Sequence, residues 1–426
     1  MIYSIALSNL LVRISVLFAL IVACTCLGWL VYERFVIDVL AEKSTPAQQS
    51  TLASALASFP RSARLQSRYA DVLLTQIFED SQAVVQAGSA AEQAVKLSPF
   101  NAKNYLLLAA ANGASGDLEA EVSHLSKALS LAPHNTQIHW RLANVLLRSG
   151  KTEQSLDEFQ AAVTADPSLL SATLDLLWQI APGDLKTLSR ATGSKAKNQL
   201  RLAQFLLQNS RVEDALQIVQ QMDRATRMTE PETGSFVNDL MASGKQEFAY
   251  KIWLDCVAEN KEKDSLLWNG SFETASPSHL SQFDWQLRNN EYMQLALDEN
   301  VAHDGAKSLR IDFLGRDTTR LTNEIKRTIV VRQGVRYRLS CFVRTAKFIS
   351  PEGPRVCVTS PDGAKLVAST NPINSESSDW QTLTLDFNAS SSVLLLTLQR
   401  IPKTGFDEPT RGTLWFDDFT LTELPS

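Results

Sequence analysis

No block of lysine and arginine occurs anywhere in the 426 residues, and the formal net charge is −5. A surface that neutralises a row of phosphates needs clustered cations, so the charge pattern argues against a nucleic-acid partner. Cysteine is scarce as well: the five residues at 24, 26, 256, 341 and 357 are too few and too scattered for a disulfide framework. Cys24 and Cys26 lie inside an apolar run rather than at a metal-ligand spacing. Free buried thiols are the expectation for Cys341 and Cys357, with a bridge between them as the alternative if their strands pair. Catalytic signatures are missing too: there is no G-x-S-x-G, no H-E-x-x-H and no glycine-rich phosphate loop, and "DGAKSL" at 304–309 lacks the Walker spacing. The five histidines at 124, 134, 139, 279 and 303 have no partner at ligand spacing. The chain is therefore read as a non-enzyme, and its length calls for two or three domains.

What is present begins with an apolar run. Residues 14–32, ISVLFALIVACTCLGWLVY, carry no charge, and nineteen residues at about 1.5 Å each cover a hydrocarbon core of about 30 Å. This predicts a transmembrane helix over 14–32. Arg13 precedes it while Glu33, Arg34, Asp38, Glu42 and Lys43 follow, which puts residues 1–13 in the cytoplasm and the bulk of the chain outside a bacterial inner membrane, in the periplasm. The alternatives are a cleaved signal peptide, whose apolar core is usually shorter, and a lipoprotein signal ending at Cys24. Apolar sequence continues for eight residues beyond that cysteine.

A repeat follows. Prolines at 99, 133 and 167 are 34 residues apart, as are Gly116 and Gly150, and as are Ala94, Ala128 and Ala162. Three residue types sharing one period mark a helix-turn-helix solenoid. The units 102–135 (Tyr105, Leu108, Ala109, Leu125, Ala128, Pro133) and 136–169 (Leu142, Ala143, Phe159, Ala162, Pro167) resemble the tetratricopeptide repeat family. More degenerate units on either side extend the solenoid over about 50–258, five or six units, with a shortened pair around Leu174 to Ile180 and Leu185 to Leu188. The resemblance implies a concave groove that binds protein segments, with groove positions on Gln137, Trp140, Asn144 and Arg148. Spaced by three or four, these fall on one helical stripe. Packing of Trp140 against the next repeat is the alternative.

After a charged linker at 259–264, ENKEKD, the composition turns to strands, beginning with an apolar stretch and an Asn-Gly turn in "LLWNGSFE" at 266–273. Alternating or β-branched runs at 307–313, 323–331, 336–344, 355–359, 381–387, 393–399 and 414–421 predict a β-sandwich over 265–426. The motifs "LLWNGSFE", "FDW" at 283–285, "HDGAKSLRI" at 303–311, "GVRYRLSCFVRT" at 334–345, "DWQTLTLDF" at 379–387 and "GTLWFDDFTL" at 412–421 resemble, in that order, the carbohydrate-binding modules with a galactose-binding-like jelly roll.

That resemblance implies a structural calcium ion held by Glu273 and Asp417, with Asp418 as the neighbouring option and backbone carbonyls near 304–307 completing the shell. Strand alternation puts Asp417 and Asp418 on opposite faces, so one of them turns inward. A sugar needs an aromatic face with polar groups beside it, and Trp285, Arg288 and Tyr292 are the candidates. Trp380 and Trp415, in or beside strands, are expected in the core. The sequence thus describes a multidomain α + β chain: a transmembrane helix, an all-α tetratricopeptide-like solenoid and an all-β jelly roll. The functional expectation is a membrane-anchored adaptor that binds protein partners and polysaccharide in assembly or export of a surface polysaccharide. An unrecognised glycan-processing enzyme and a protein–protein hub without sugar binding are the alternatives.

Overall fold

The computed structural model describes residues 10–43, 49–77, 81–259, 262, 265–402 and 409–425. Most of the amino-terminal segment 1–13, and four of the six linker residues at 259–264, lie outside the described residues. The chain forms two compact units, one closing at Gly193 and the other opening at Ser194, so the division does not fall at the charged linker.

In the first unit, α1 (Leu10–Lys43) is one unbroken helix, and its segment Val12–Ala41 is long and apolar enough to cross a membrane. Most of its apolar side chains are exposed, from Val12 to Phe35. Its last turns behave differently: Ile37 and Leu40 pack on Leu52 of α2 (Gln49–Ser58) and on Leu65 and Val72 of α3 (Ala63–Leu74). Arg64 of α3 is hydrogen-bonded to Asp38 of α1.

Helices then pair: α3 with α4 (Ser81–Leu97), α5 (Ala102–Ser115) with α6 (Leu118–Leu131), α7 (Thr136–Arg148) with α8 (Thr152–Ala165), and α9 (Leu170–Ile180) with α10 (Leu185–Thr192). The periodic residues have distinct jobs. Gly116 and Gly150 hold left-handed φ values of 85° and 75° where the first helix of a pair ends, a conformation that costs glycine nothing. Ala94, Ala128 and Ala162 are fully buried where a larger side chain would push the helices apart. Asn101, Asp117 and Asn135 cap the helices that follow them, each accepting a backbone N–H at 3.0 Å. Pro167 opens a short 3-10 turn just beyond α8.

The second unit holds α11 (Ala196–Gln208), α12 (Val212–Gln221), α13 (Arg224–Thr229), α14 (Pro231–Ala242), α15 (Gln246–Val257) and a β-sandwich. The last two helices are fused to the sandwich rather than strung to it. Trp253 is fully buried, with ring centroids 5.4 Å from those of Trp268 and Phe283, and Tyr250 packs edge-on to Phe283 at 5.2 Å. Tyr250 Oη donates to the Ser265 carbonyl at 2.7 Å, and Gln282 Nε2 donates to the Gly234 carbonyl at 3.1 Å. Arg327, fully buried, hydrogen-bonds the Trp268 carbonyl, and burial pushes its pKa down to about 10, against the opposing pull of Tyr250 and Asp284.

The sandwich consists of two antiparallel five-stranded sheets. One has the order β1 (Gln286–Leu287), β4 (Ile325–Val330), β9 (Val393–Gln399), β6 (Arg355–Thr359), β7 (Leu366–Ser369). The other runs β2 (Met293–Asp298), β3 (Ser308–Arg316), β10 (Thr410–Glu423), β5 (Arg336–Ile349), β8 (Ser378–Asn388). Alternate residues meet in the core: Leu309, Ile311, Leu339, Val343, Leu414 and Phe416 from the second sheet, and Ile325, Ile329, Val356, Val358 and Leu396 from the first.

One expectation is corrected, and one alternative falls away. The stretch 266–268 is not a strand but leads into a turn, with Asn269 and Phe272 at φ 56° and 61°. The Asn269 side chain enforces it, donating to the Thr274 carbonyl at 2.6 Å and accepting the Thr274 N–H at 3.0 Å. The Cys341 to Cys357 bridge is not formed. Cys341 on β5 faces the core, whereas β6 pairs with β9 and β7 and turns Val356 and Val358 inward, which sends Cys357 to the other face.

Candidate functional site

Glu273 and Asp417 both grip the loop before β3. Glu273 Oε1 accepts the backbone N–H of Ala306 at 2.7 Å and of Lys307 at 2.9 Å. Gly305, with φ 71°, makes room for it, since a Cβ there would stand 2.3 Å from that oxygen. Asp417 is fully buried, its Oδ2 accepting from His303 N–H and its Oδ1 from Asp418 N–H, each at 2.8 Å. Burial pushes its carboxyl up to about 6 although these amide bonds pull the other way. Asp418 is half-buried, and strict alternation does not hold here: its φ of 49° falls in the register shift between Asp417 and Thr420, and its Oδ2 lies 2.6 Å from Nδ1 of His303, the same residue whose N–H Asp417 accepts. Among the described residues no three His, Cys, Asp or Glu side chains are grouped for a metal. Asp417 is buried with the His303 and Asp418 amides as hydrogen-bond partners, and Glu273 and Asp417 are the carboxylates that would hold a calcium ion here. The remaining oxygens would have to come from backbone carbonyls.

The four groove positions all lie on α7, where the heptad-like spacing aligns them. Gln137 is exposed. Trp140 is half-buried, its ring edge-on to Phe159 of α8 at 5.3 Å, which is packing within its own repeat. Asn144 Nδ2 donates to the Trp140 carbonyl at 2.7 Å. Arg148 reaches back to Glu121 Oε2 of α6 at 3.0 Å. Burial raises the Glu121 pKa despite the arginine, because its carboxylate lies over Gly113 of α5, where a Cβ would come within 2.7 Å.

Of the three sugar candidates, Trp285 lies between Phe272 and Phe419 at centroid distances of 5.0 and 4.9 Å, donates its indole N–H to the Asn269 carbonyl at 3.0 Å and carries Arg327 at 5.6 Å. It is part of the packing around the Asn-Gly turn. Arg288 is exposed just after β1 of the first sheet, while Tyr292 is half-buried just before β2 of the second.

A different surface gathers what those residues were expected to supply. Trp380 and Trp415 are not in the core; both are half-buried on the outer face of the β2-β3-β10-β5-β8 sheet. The reason is the period of two: with Leu414 and Phe416 turned inward, Trp415 must turn outward. Arg310 on β3 and Arg344 on β5 are its cross-strand neighbours. Asp298 Oδ2 accepts the Trp415 indole N–H at 2.9 Å and pairs with Arg310 at 3.3 Å, while Arg310 Nε reaches Asp312 at 2.9 Å. Burial alone would raise the Asp298 carboxyl, but the bonds from Trp415, Asn300 and Arg310 outweigh it and hold the pKa low. The Arg344 guanidinium lies 5.8 Å from the Trp415 ring centroid. Two residues along β5, Phe342 stacks on the His303 ring at 3.6 Å, and Trp380 meets that imidazole edge-on at 5.7 Å. An aromatic strip with carboxylates and guanidiniums along it can hold a pyranose by its C–H face and hydroxyls. Alternation in "TLWF" was the available signal for Trp415.

Residues 106–169 match the family model described as tetratricopeptide repeat, and the chain carries such repeats there. No curated protein matches the chain. Among solved structures, the chain is similar to a module described as "CBM4 structure and function" (18% identity, 37% of this chain, 99% of that one, TM-score 0.27). It is also similar to MamA of AMB-1 (17% identity, 45% of this chain, 87% of that one, TM-score 0.29). A third likeness is to the arabinose-bound α-L-arabinofuranosidase MgGH51, at 16% identity and TM-score 0.27, covering 37% of this chain and only 26% of that one. At these scores the likenesses add nothing to what the strand order and helix pairs establish.

Proposed function

We propose that the protein is a membrane-anchored adaptor whose helical repeats bind protein partners and whose sandwich holds a glycan on the outer face of the β2-β3-β10-β5-β8 sheet. The row of half-buried Trp415, Phe342 and Trp380 with exposed His303 carries this reading, because rings left partly open to solvent along the outside of a sheet are available to a ligand. Asp298, beside Trp415, is held below the ordinary carboxylate value by its bonds from Trp415, Asn300 and Arg310, which favours binding over turnover at that ring. A calcium ion on Glu273 and Asp417 would fix the loop that carries His303.

For α1 we favour a permanent anchor in a bacterial inner membrane with the rest of the chain periplasmic. The apolar span continues without a break into the turns that carry Ile37 and Leu40 under α2 and α3, which would hold an anchor rigidly to the first repeat. An adaptor held at that surface raises the effective concentration of whatever it binds, as assembly or export of a surface polysaccharide requires. Two measurements test the proposal. Purified from membranes, the chain should keep its residues before Glu33 by mass spectrometry and retain surface polysaccharide on a column without shortening it. A processed amino end, or release of shortened glycan at enzymatic rates, would refute the corresponding half.

A further inference from the structure

Resting on the glycan reading of the Trp415 face, we infer that its ligand is acidic: a polysaccharide containing hexuronate residues, with a sugar ring on Trp415 and its carboxylate on Arg344. The arginines on this face differ in one respect. Arg310 is neutralised by Asp298 and Asp312, and Arg336 and Arg338 share Asp386. Arg344 has no carboxylate within ion-pair distance among the described residues; the contact it makes is with the Trp415 ring. Half-buried beside an indole, its guanidinium is held in place by the ring, while its N–H fork keeps the planar geometry that a carboxylate fills with two parallel hydrogen bonds.

The order of groups across the strands fixes an orientation. From β3 through β10 to β5 the face reads Asp312 and Arg310, then Trp415, then Arg344. A carboxylate at the β3 side would meet Asp298 and Asp312, both already saturating Arg310, and be repelled. At the β5 side it meets an uncompensated cation. A neutral pyranose would find hydroxyl partners in the same two aspartates and would leave Arg344 unused.

The test uses the full chain in detergent, titrated with oligogalacturonate and oligomannuronate and with the methyl esters of both, which keep the rings and remove the charge. The wild-type chain should bind the acids more tightly than the esters, and added salt should narrow the gap. Arg344→Gln should weaken acid binding about tenfold, the value of one charge-assisted pair, and leave ester binding unchanged. Trp415→Ala should abolish both. Equal binding of acid and ester, or acid binding indifferent to Arg344→Gln, overturns the inference while the glycan reading stands. Failure of the wild-type chain to bind any of the four oligomers overturns the inference, and binding that survives Trp415→Ala undoes the assignment of the face itself.

Discussion

The Trp253 indole N–H donates to the Leu280 carbonyl at 2.5 Å, tying the last repeat helix to the segment that leads into the sandwich. With Trp268 and Phe283 packed on the same ring, this corner of the molecule is a shared core and not a hinge.

Trp253→Ala should therefore destabilise helices and sandwich together, by about 3–5 kcal/mol as for other buried tryptophans. Calorimetry of residues 194–426 should show one cooperative transition in both proteins, shifted down in the variant. Two separate transitions, with only the helical one moved, would mean the cores are independent.

The Asn-Gly turn makes a sharper demand. A Cβ on Gly270 would lie 1.9 Å from the Phe419 carbonyl, and that carbonyl belongs to backbone whose N–H in turn bonds Gly270 O at 3.0 Å. Gly270→Ala has to pry the turn off β10 and should cost about 1–3 kcal/mol in denaturant unfolding, as overpacking does. A variant as stable as the wild type would show that this contact yields freely.

Asp417 predicts a pH dependence. Its pKa is raised in the fold, to about 6 from 3.8, so the folded state binds the proton more tightly than the unfolded chain does. In chelator, the contribution of Asp417 to stability is then fully present below about pH 4 and is lost as pH climbs from about 4 through 6, by at most about 3 kcal/mol for a shift of some two pKa units, against the opposite trend of carboxylates such as Asp298 whose pKa is lowered. Asp417→Asn should flatten that decline. If calcium sits on Glu273 and Asp417, adding it should reverse the slope, because the ion needs the carboxylate charged. In Glu273→Ala the calcium effect should vanish, and a calcium-insensitive melt in the wild-type chain would remove the ion.

The repeats were legible because their signals are local: Gly at a left-handed turn, Ala at a helix crossing, Asn or Asp at a cap, each repeated at one spacing. Strands on the core side were legible for the same reason, since period-two alternation marks them wherever one face is buried. Short β1, β2 and β7 gave no such run; β1 has two residues and β2 exposes Gln294, Ala296 and Leu297. The site was harder. Trp285 looked like a ligand residue by composition, but its fate was decided by Phe272, Phe419 and Arg327, which lie far off in sequence. Trp415 looked like core because tryptophan usually is, and only the parity of its neighbours says otherwise. The fusion of α15 to the sandwich was hidden behind a charged segment that reads as a linker.

The proposed glycan site is the outer face of the β2-β3-β10-β5-β8 sheet and not the region around Trp285. Comparing Trp415→Ala with Trp285→Ala in the full chain tests it most directly, measuring retention on immobilised acidic polysaccharide well below either melting point. Retention should disappear in Trp415→Ala at unchanged melting temperature and persist in Trp285→Ala at a lowered one. The opposite pattern, binding lost with Trp285 and kept without Trp415, would contradict the account.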